Sequence, residues 1–135
     1  MEHTADVGLR IRGRDLKELF IHAAAGFFDL VTEVETGEEP SGRIWQRFQL
    51  GGENTGDLLL KWLRELLFVF STKRIIFKEF EFKKLTDREL DVHAVGVLFD
   101  PARHGQKVEV KAVTYHGFKL ETSKEGWMAE IIFDI

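Results

Sequence analysis

Two aspartates near opposite ends of the chain stand where a plain hydrophobic strand would carry something blander. Asp6 sits in Glu2-His3-Thr4-Ala5-Asp6-Val7-Gly8, and Asp134 sits in Glu130-Ile131-Ile132-Phe133-Asp134-Ile135. Chain ends fray unless they are tied down, so two strand-like ends suggest a sheet that holds them side by side. In that arrangement Asp6, Asp134 and the terminal carboxylate of Ile135 converge into a set of oxygen donors. Hard divalent cations take such donors and fill the rest of their sphere with water.

Strand parity permits this cluster. Val7, Leu9 and Ile11 alternate with Gly8, Arg10 and Arg12, which places Asp6 with the polar set. Asp134 opposes Phe133 and Ile131 in the same way, and Lys111 opposes Val108, Val110 and Ala112. All three polar residues can therefore share one face. The same pattern also fits solvated strand residues with no ligand, because parity permits a cluster without establishing it.

Other chemistries are poorly supplied. There is no cysteine, hence no disulfide, thiolate metal site or cysteine nucleophile. The five histidines, His3, His22, His93, His104 and His116, form no HExxH pair and no other spacing typical of zinc ligands. His22 and His104 read as surface or boundary residues, and His93 shares the solvated parity of Asp91. His3 and His116 stand out only because they neighbour the aspartates and the lysine. Ser41, Ser71 and Ser123 all fall in loops, and no G-x-S-x-G elbow surrounds them. Gly51-Gly52-Glu53-Asn54-Thr55-Gly56 lacks the Lys-Ser/Thr pair of a phosphate loop. No EF-hand loop is present either.

The elements that must position these residues follow from periodicity. Asp15 reads as an N-cap with Glu18 completing a capping-box variant. Leu16, Leu19, Phe20, Ala23, Phe27 and Leu30 then give an amphipathic helix to about Val31. Glu33 to Gly42 reads as an acidic exposed loop, and Arg43 to Leu50 as a strand. Asp57 to Phe70 forms a helix that is apolar nearly all round, its polar stripe reduced to Lys61, Arg64 and Glu65, so it belongs in the core or under a partner. From Ile75 the period is two. Strands are expected at Ile75–Phe82, Glu89–Phe99, Lys107–Tyr115, Phe118–Glu121 and Trp127–Ile135. The fold class expected is α+β: one domain over residues 1–135, a mostly antiparallel β-sheet meander with two helices on one face.

With 135 residues, 44% hydrophobic and 31% charged, the composition is that of a soluble globular domain. A formal charge of −4 argues against a dedicated nucleic-acid binder. No signal peptide or membrane span is expected, and the absence of cysteine fits a reducing cytoplasm.

His3-Thr4-Ala5-Asp6-Val7-Gly8, Asp57-Leu58-Leu59-Leu60-Lys61-Trp62-Leu63, Val110-Lys111-Ala112-Val113-Thr114-Tyr115-His116 and Ile132-Phe133-Asp134-Ile135 together resemble the archease family, in order and along the whole chain. The resemblance implies a cytoplasmic protein that is not itself an enzyme. It would be a cofactor of the RtcB-type RNA ligase of tRNA splicing, promoting guanylylation and multiple turnover of that ligase. RNA and guanine nucleotide would be met only indirectly, through the ligase, and no membrane is involved. The resemblance further implies a divalent metal, calcium first, on Asp6, Asp134 and Ile135, and a ligase-activating role for Lys111. It leaves His3 and His116 open. The alternative is a general chaperone or adaptor for RNA-modifying enzymes such as a tRNA methyltransferase.

Overall fold

The computed structural model describes residues 5–33 and 42–135. His3 and nearly all of the expected acidic loop lie outside these. Strand β1 (Asp6–Gly13) leads into helix α1 (Leu16–Val31), followed by β2 (Thr32–Glu33) and β3 (Ile44–Gly51). Helix α2 (Thr55–Lys73) precedes β4 (Ile75–Leu85), β5 (Glu89–Leu98), β6 (Gly105–Gln106), β7 (Ala112–Ser123) and β8 (Gly126–Asp134). The fold is α+β, and every strand pairing is antiparallel.

The strands do not form one continuous meander. They make two three-stranded sheets, β1-β8-β7 and β3-β5-β4, with a two-stranded β2-β6 ribbon beside them. The stretch expected as a strand from Lys107 is the reason. Residues 107–111 are irregular, the short β6 turns aside to pair with β2, and the ladder resumes only at Ala112. The β1-β8-β7 sheet is therefore closed by β1, from the other end of the chain, rather than by β6.

Both helices begin with the same device. Asp15 accepts a hydrogen bond from the Glu18 N–H at 2.8 Å, and Asn54 accepts from the Asp57 N–H at 2.9 Å. Such caps contribute about 1 kcal/mol each. The third helical residue returns a carboxylate, but one position earlier than in the standard capping box. Glu18 accepts from the Arg14 N–H and Asp57 from the Glu53 N–H. Asp57 therefore lies inside the first turn of α2 rather than opening it. At its far end α2 runs to Lys73 and stops at Arg74, a left-handed residue (φ 57°) whose guanidinium lies over the rings of Phe70 and Phe99.

α2 lies in the core. Leu58, Leu59, Leu60, Trp62, Leu63 and Leu66 are fully buried, while Phe68 remains exposed. Trp62 is the hub: it meets Phe48, Phe80 and Phe82 edge to face, and its indole N–H donates to the Phe20 carbonyl of α1 at 3.1 Å. Burying large apolar side chains of this kind contributes about 1.5–3 kcal/mol each. Phe27 and Phe133 carry the same core across to the β1-β8-β7 sheet.

His104 departs from the expected surface position. It is fully buried, its ring lies against Phe99, and its Nδ1 accepts the Asp100 N–H at 2.9 Å. The loop of residues 100–104 folds over its own imidazole, with the His104 N–H donating to the Asp100 carbonyl.

Candidate functional site

β8 is the middle strand of its sheet, and its last residue meets both neighbours. Asp134 lies directly opposite Asp6 on β1 and opposite Ala112 on β7. The Ile135 N–H donates to the Ala5 carbonyl at 3.0 Å, one step beyond the aspartate pair. That bond flanks Asp6 and Asp134, which makes them a non-hydrogen-bonded pair. Pairs of this kind stand closest, with Cα atoms about 4.5 Å apart and side chains on the same face. Phe133 and Val7, the next residues inward, turn the other way, Phe133 into the core and Val7 against it. Asp6 is exposed and Asp134 half-buried.

Lys111 reaches this corner by a break in alternation. Its N–H donates to the Asp134 carbonyl at 2.7 Å, yet Ala112 is the residue in register with Asp134. Two residues of one strand thus address a single residue of the next, which is the arrangement of a bulge. Burial follows suit: Val110 and Val113 are buried, Lys111 is exposed and Ala112 half-buried. Strict parity puts Ala112 with the inward set. The bulge instead turns both Lys111 and Ala112 outward, and Lys111 sits just before β7 rather than within a strand. Arg64, from the polar stripe of α2, donates to the Val113 carbonyl at 3.3 Å and fastens the helix to this stretch.

The chemistry available here is that of hard oxygen donors. Two carboxylates on directly opposed residues can both reach one cation at the 2.3–2.6 Å typical of calcium–oxygen bonds, and an Ile135 oxygen lies one residue away. Among the described residues no three His, Cys, Asp or Glu side chains gather into a cluster. A cation here would therefore complete its sphere with main-chain oxygen and water. Carboxylate and main-chain oxygens are hard donors, the type that suits calcium or magnesium.

His116 does not join the aspartates directly. It belongs to a second irregularity of β7. Between Thr114, opposite Ile132, and Lys119, opposite Glu130, β7 advances five residues while β8 advances two. Tyr115, His116 and Gly117 are exposed in this excursion. The expected separator at His116-Gly117 is thus a bulge inside one long strand rather than a gap between two.

A cleft at the opposite end of the same sheet carried no signal beyond ordinary strand alternation. It has a volume of about 700 Å³ and is lined by Arg10, Arg12, Arg14, Glu18, Glu121 and Trp127, among others. Arg10 is bound to Glu130 at 2.6 Å and Arg14 to Glu18 at 3.0 Å. The Arg14 side chain holds the Glu18 carboxyl below the usual carboxylate range, helped by the Arg14 N–H. The cleft is mostly neutralised from within.

Comparison with known proteins places the chain. The family model described as Archease protein family (MTH1598/TM1083) matches residues 1–135. Protein archease of Pyrococcus abyssi (strain GE5 / Orsay) is 38% identical over 138 residues, covering 99% of this chain and 95% of that protein. Protein archease of Methanosarcina acetivorans is 34% identical, covering 100% of this chain and 93% of that protein. The solution structure of Methanobacterium thermoautotrophicum protein 1598 superposes with a TM-score of 0.73 at 31% identity, over 100% of this chain and 96% of that one. A crystal structure from Thermotoga maritima, described as an archease and possible chaperone, shares the fold at 22% identity with a TM-score of 0.69, covering 100% of this chain and 94% of that one.

Proposed function

The chain belongs to the archease family, and from that premise we propose that it is a non-enzymatic activator of the RtcB-type RNA ligase of tRNA splicing. It promotes guanylylation and repeated turnover of the ligase, meets RNA and guanine nucleotide only through it, and works in the cytoplasm. No helix among the described residues is long and apolar enough to cross a membrane.

The observation that supports this reading best is the register of β1 and β8. It sets Asp6 against Asp134, beside Ile135, with the Lys111 N–H on the Asp134 carbonyl. In this proposal Asp6, Asp134 and an Ile135 oxygen hold a divalent cation, calcium first. The bound ion offsets the repulsion of the two carboxylates and gives the sheet edge a fixed charge. Lys111 supplies a compact ammonium at the same edge, suited to a phosphate or a ligase carboxylate. Activation requires that this edge interact more strongly with the nucleotidylation-competent ligase than with its resting state.

The test is single-turnover guanylylation and multiple-turnover ligation by a purified cognate ligase. Wild type should stimulate both, whereas Asp6→Ala, Asp134→Ala and Lys111→Ala should not. Full stimulation by folded Asp6→Ala would sink the metal-edge mechanism. The Thermotoga protein's description as a possible chaperone favours a second reading, a general adaptor for RNA-modifying enzymes such as a tRNA methyltransferase. That reading predicts stabilisation of several unrelated enzymes and stimulation that survives loss of the carboxylates.

A further inference from the structure

The Tyr115–His116–Gly117 bulge is held too firmly to be slack in the chain. The Thr114 hydroxyl donates to the His116 carbonyl at 3.1 Å, closing the excursion from within. Gly117 takes φ +75°, which strains any other residue, and a Cβ there would crowd the Ile132 side chain at 3.0 Å from Cγ1. Phe118 re-enters the fold over Gly56, at the start of α2, where a Cβ would meet its ring at 2.9 Å. The Tyr115 ring stands 6.4 Å from the Phe118 ring, and Tyr115 is nonetheless 69% exposed. Three extra residues, ordered by a side-chain hydrogen bond, a required glycine and an anchored phenylalanine, display the protein's single tyrosine to solvent.

Its surroundings indicate what it meets. Thr114 lies opposite Ile132, two residues along β8 from Asp134, or roughly 7 Å of strand. On the other side of the bulge Lys119 faces Glu130, which is paired with Arg10. An aromatic centre with half-buried Ile132, Ala112 and Thr114 nearby and charge at both margins has the anatomy of a protein interface.

We propose that this bulge is the element by which the protein docks on its protein partner, with Tyr115 entering an apolar pocket on that partner. The pocket's rim is complementary in sign to Lys119 at one end and to the cation-loaded Asp6–Asp134 edge at the other. The inference rests on the ligase reading above and names the contact that reading lacks. A rigid tyrosine is the type of residue that dominates interface energetics, because it brings large area at little cost in side-chain freedom.

The experiment measures binding of immobilised cognate ligase to wild type, Tyr115→Ala, Tyr115→Phe and Gly117→Val, with calcium titrations and melting curves on the same samples. Tyr115→Ala should weaken ligase binding by about 30-fold or more, the scale of an interface hot spot. Tyr115→Phe should stay within a few-fold of wild type. Gly117→Val should weaken binding while keeping the tyrosine, because it distorts the excursion. Calcium affinity and melting temperature should be unchanged in the two Tyr115 variants. Undiminished binding by Tyr115→Ala overturns the bulge contact and leaves the ligase reading standing. Failure of wild type to bind the ligase overturns both. Loss of single-stranded RNA binding in Tyr115→Ala, with ligase binding intact, assigns the tyrosine to RNA and also overturns the proposal.

Discussion

Replacing Asp134 by asparagine should change stability in opposite directions with and without calcium. The two carboxylates face each other as a close cross-strand pair, and like charges so placed destabilise a sheet by about 0.2–1 kcal/mol. Removing one charge at nearly constant shape relieves that repulsion. At the unfolding entropy typical of 135 residues, each kcal/mol moves the melting temperature by about 3–4 °C. In chelator, Asp134→Asn should therefore melt about 1–3 °C above wild type. In calcium at about one hundred times its dissociation constant, wild type gains about 2.7 kcal/mol by mass action, or about 10 °C, and the variant gains almost nothing. The two melting curves should exchange order between buffers. Differential scanning calorimetry of both proteins in EDTA and in calcium, with Asp6→Asn as the mirror variant, measures this directly. A wild-type melting temperature indifferent to calcium would refute the cation site. A variant that melts lower than wild type in EDTA would show that the carboxylates hold the strands together rather than apart.

Trp62→Ala should cost about 3–5 kcal/mol, since it empties a fully buried hub and removes a bond to Phe20; chemical denaturation reads this as a lower midpoint. The capping carboxylates predict acid sensitivity. The Glu53 N–H, chiefly, and Lys61 hold the Asp57 carboxyl below its ordinary range. A depressed folded pKa contributes stability that is fully present above the unfolded value of about 4 and is lost as pH falls through the lower folded value. Melting temperature should therefore decline below about pH 5, and the decline should be shallower in Asp57→Asn, which no longer carries that titration. Lys111→Ala should leave the melting temperature and calcium affinity unchanged while abolishing ligase stimulation, because its side chain is exposed and only its backbone N–H joins the sheet.

How much of this was legible depended on which physical signal each element carries. α1 was readable from Leu16 to Val31 because its cap, its apolar stripe and its end all speak the same periodicity. α2 was read short at both ends because Thr55, Gly56 and Ser71–Lys73 add helix without adding apolar surface. Parity allowed Asp6 and Asp134 to share a face, but the β1–β8 register that sets them opposite each other has no trace in either strand's alternation. Parity failed at Lys111–Ala112 and at Tyr115–Gly117, where a bulge shifts the count and leaves the composition looking regular. His104 was unreadable because its burial depends on a loop that folds back over Phe99, a contact with no periodic trace. The split into two sheets was hidden for a related reason: nothing in the strand pattern states which non-neighbour a strand will choose.

The placement of β8 between β1 and β7 also has a consequence for biosynthesis. β1 leaves the ribosome well before β8, its one ladder partner among the described residues, which is made more than a hundred residues later. At translation rates of about 5–20 residues per second, β1 waits several seconds or more with an unpaired edge. During that wait α1, whose Gly26 lies against Leu9 of β1, can shelter its apolar face. The Asp6–Asp134 pair cannot exist on any nascent chain lacking β8. A product terminated before β8 would therefore lack both ladders of the β1-β8-β7 sheet as well as the Asp6–Asp134 pair.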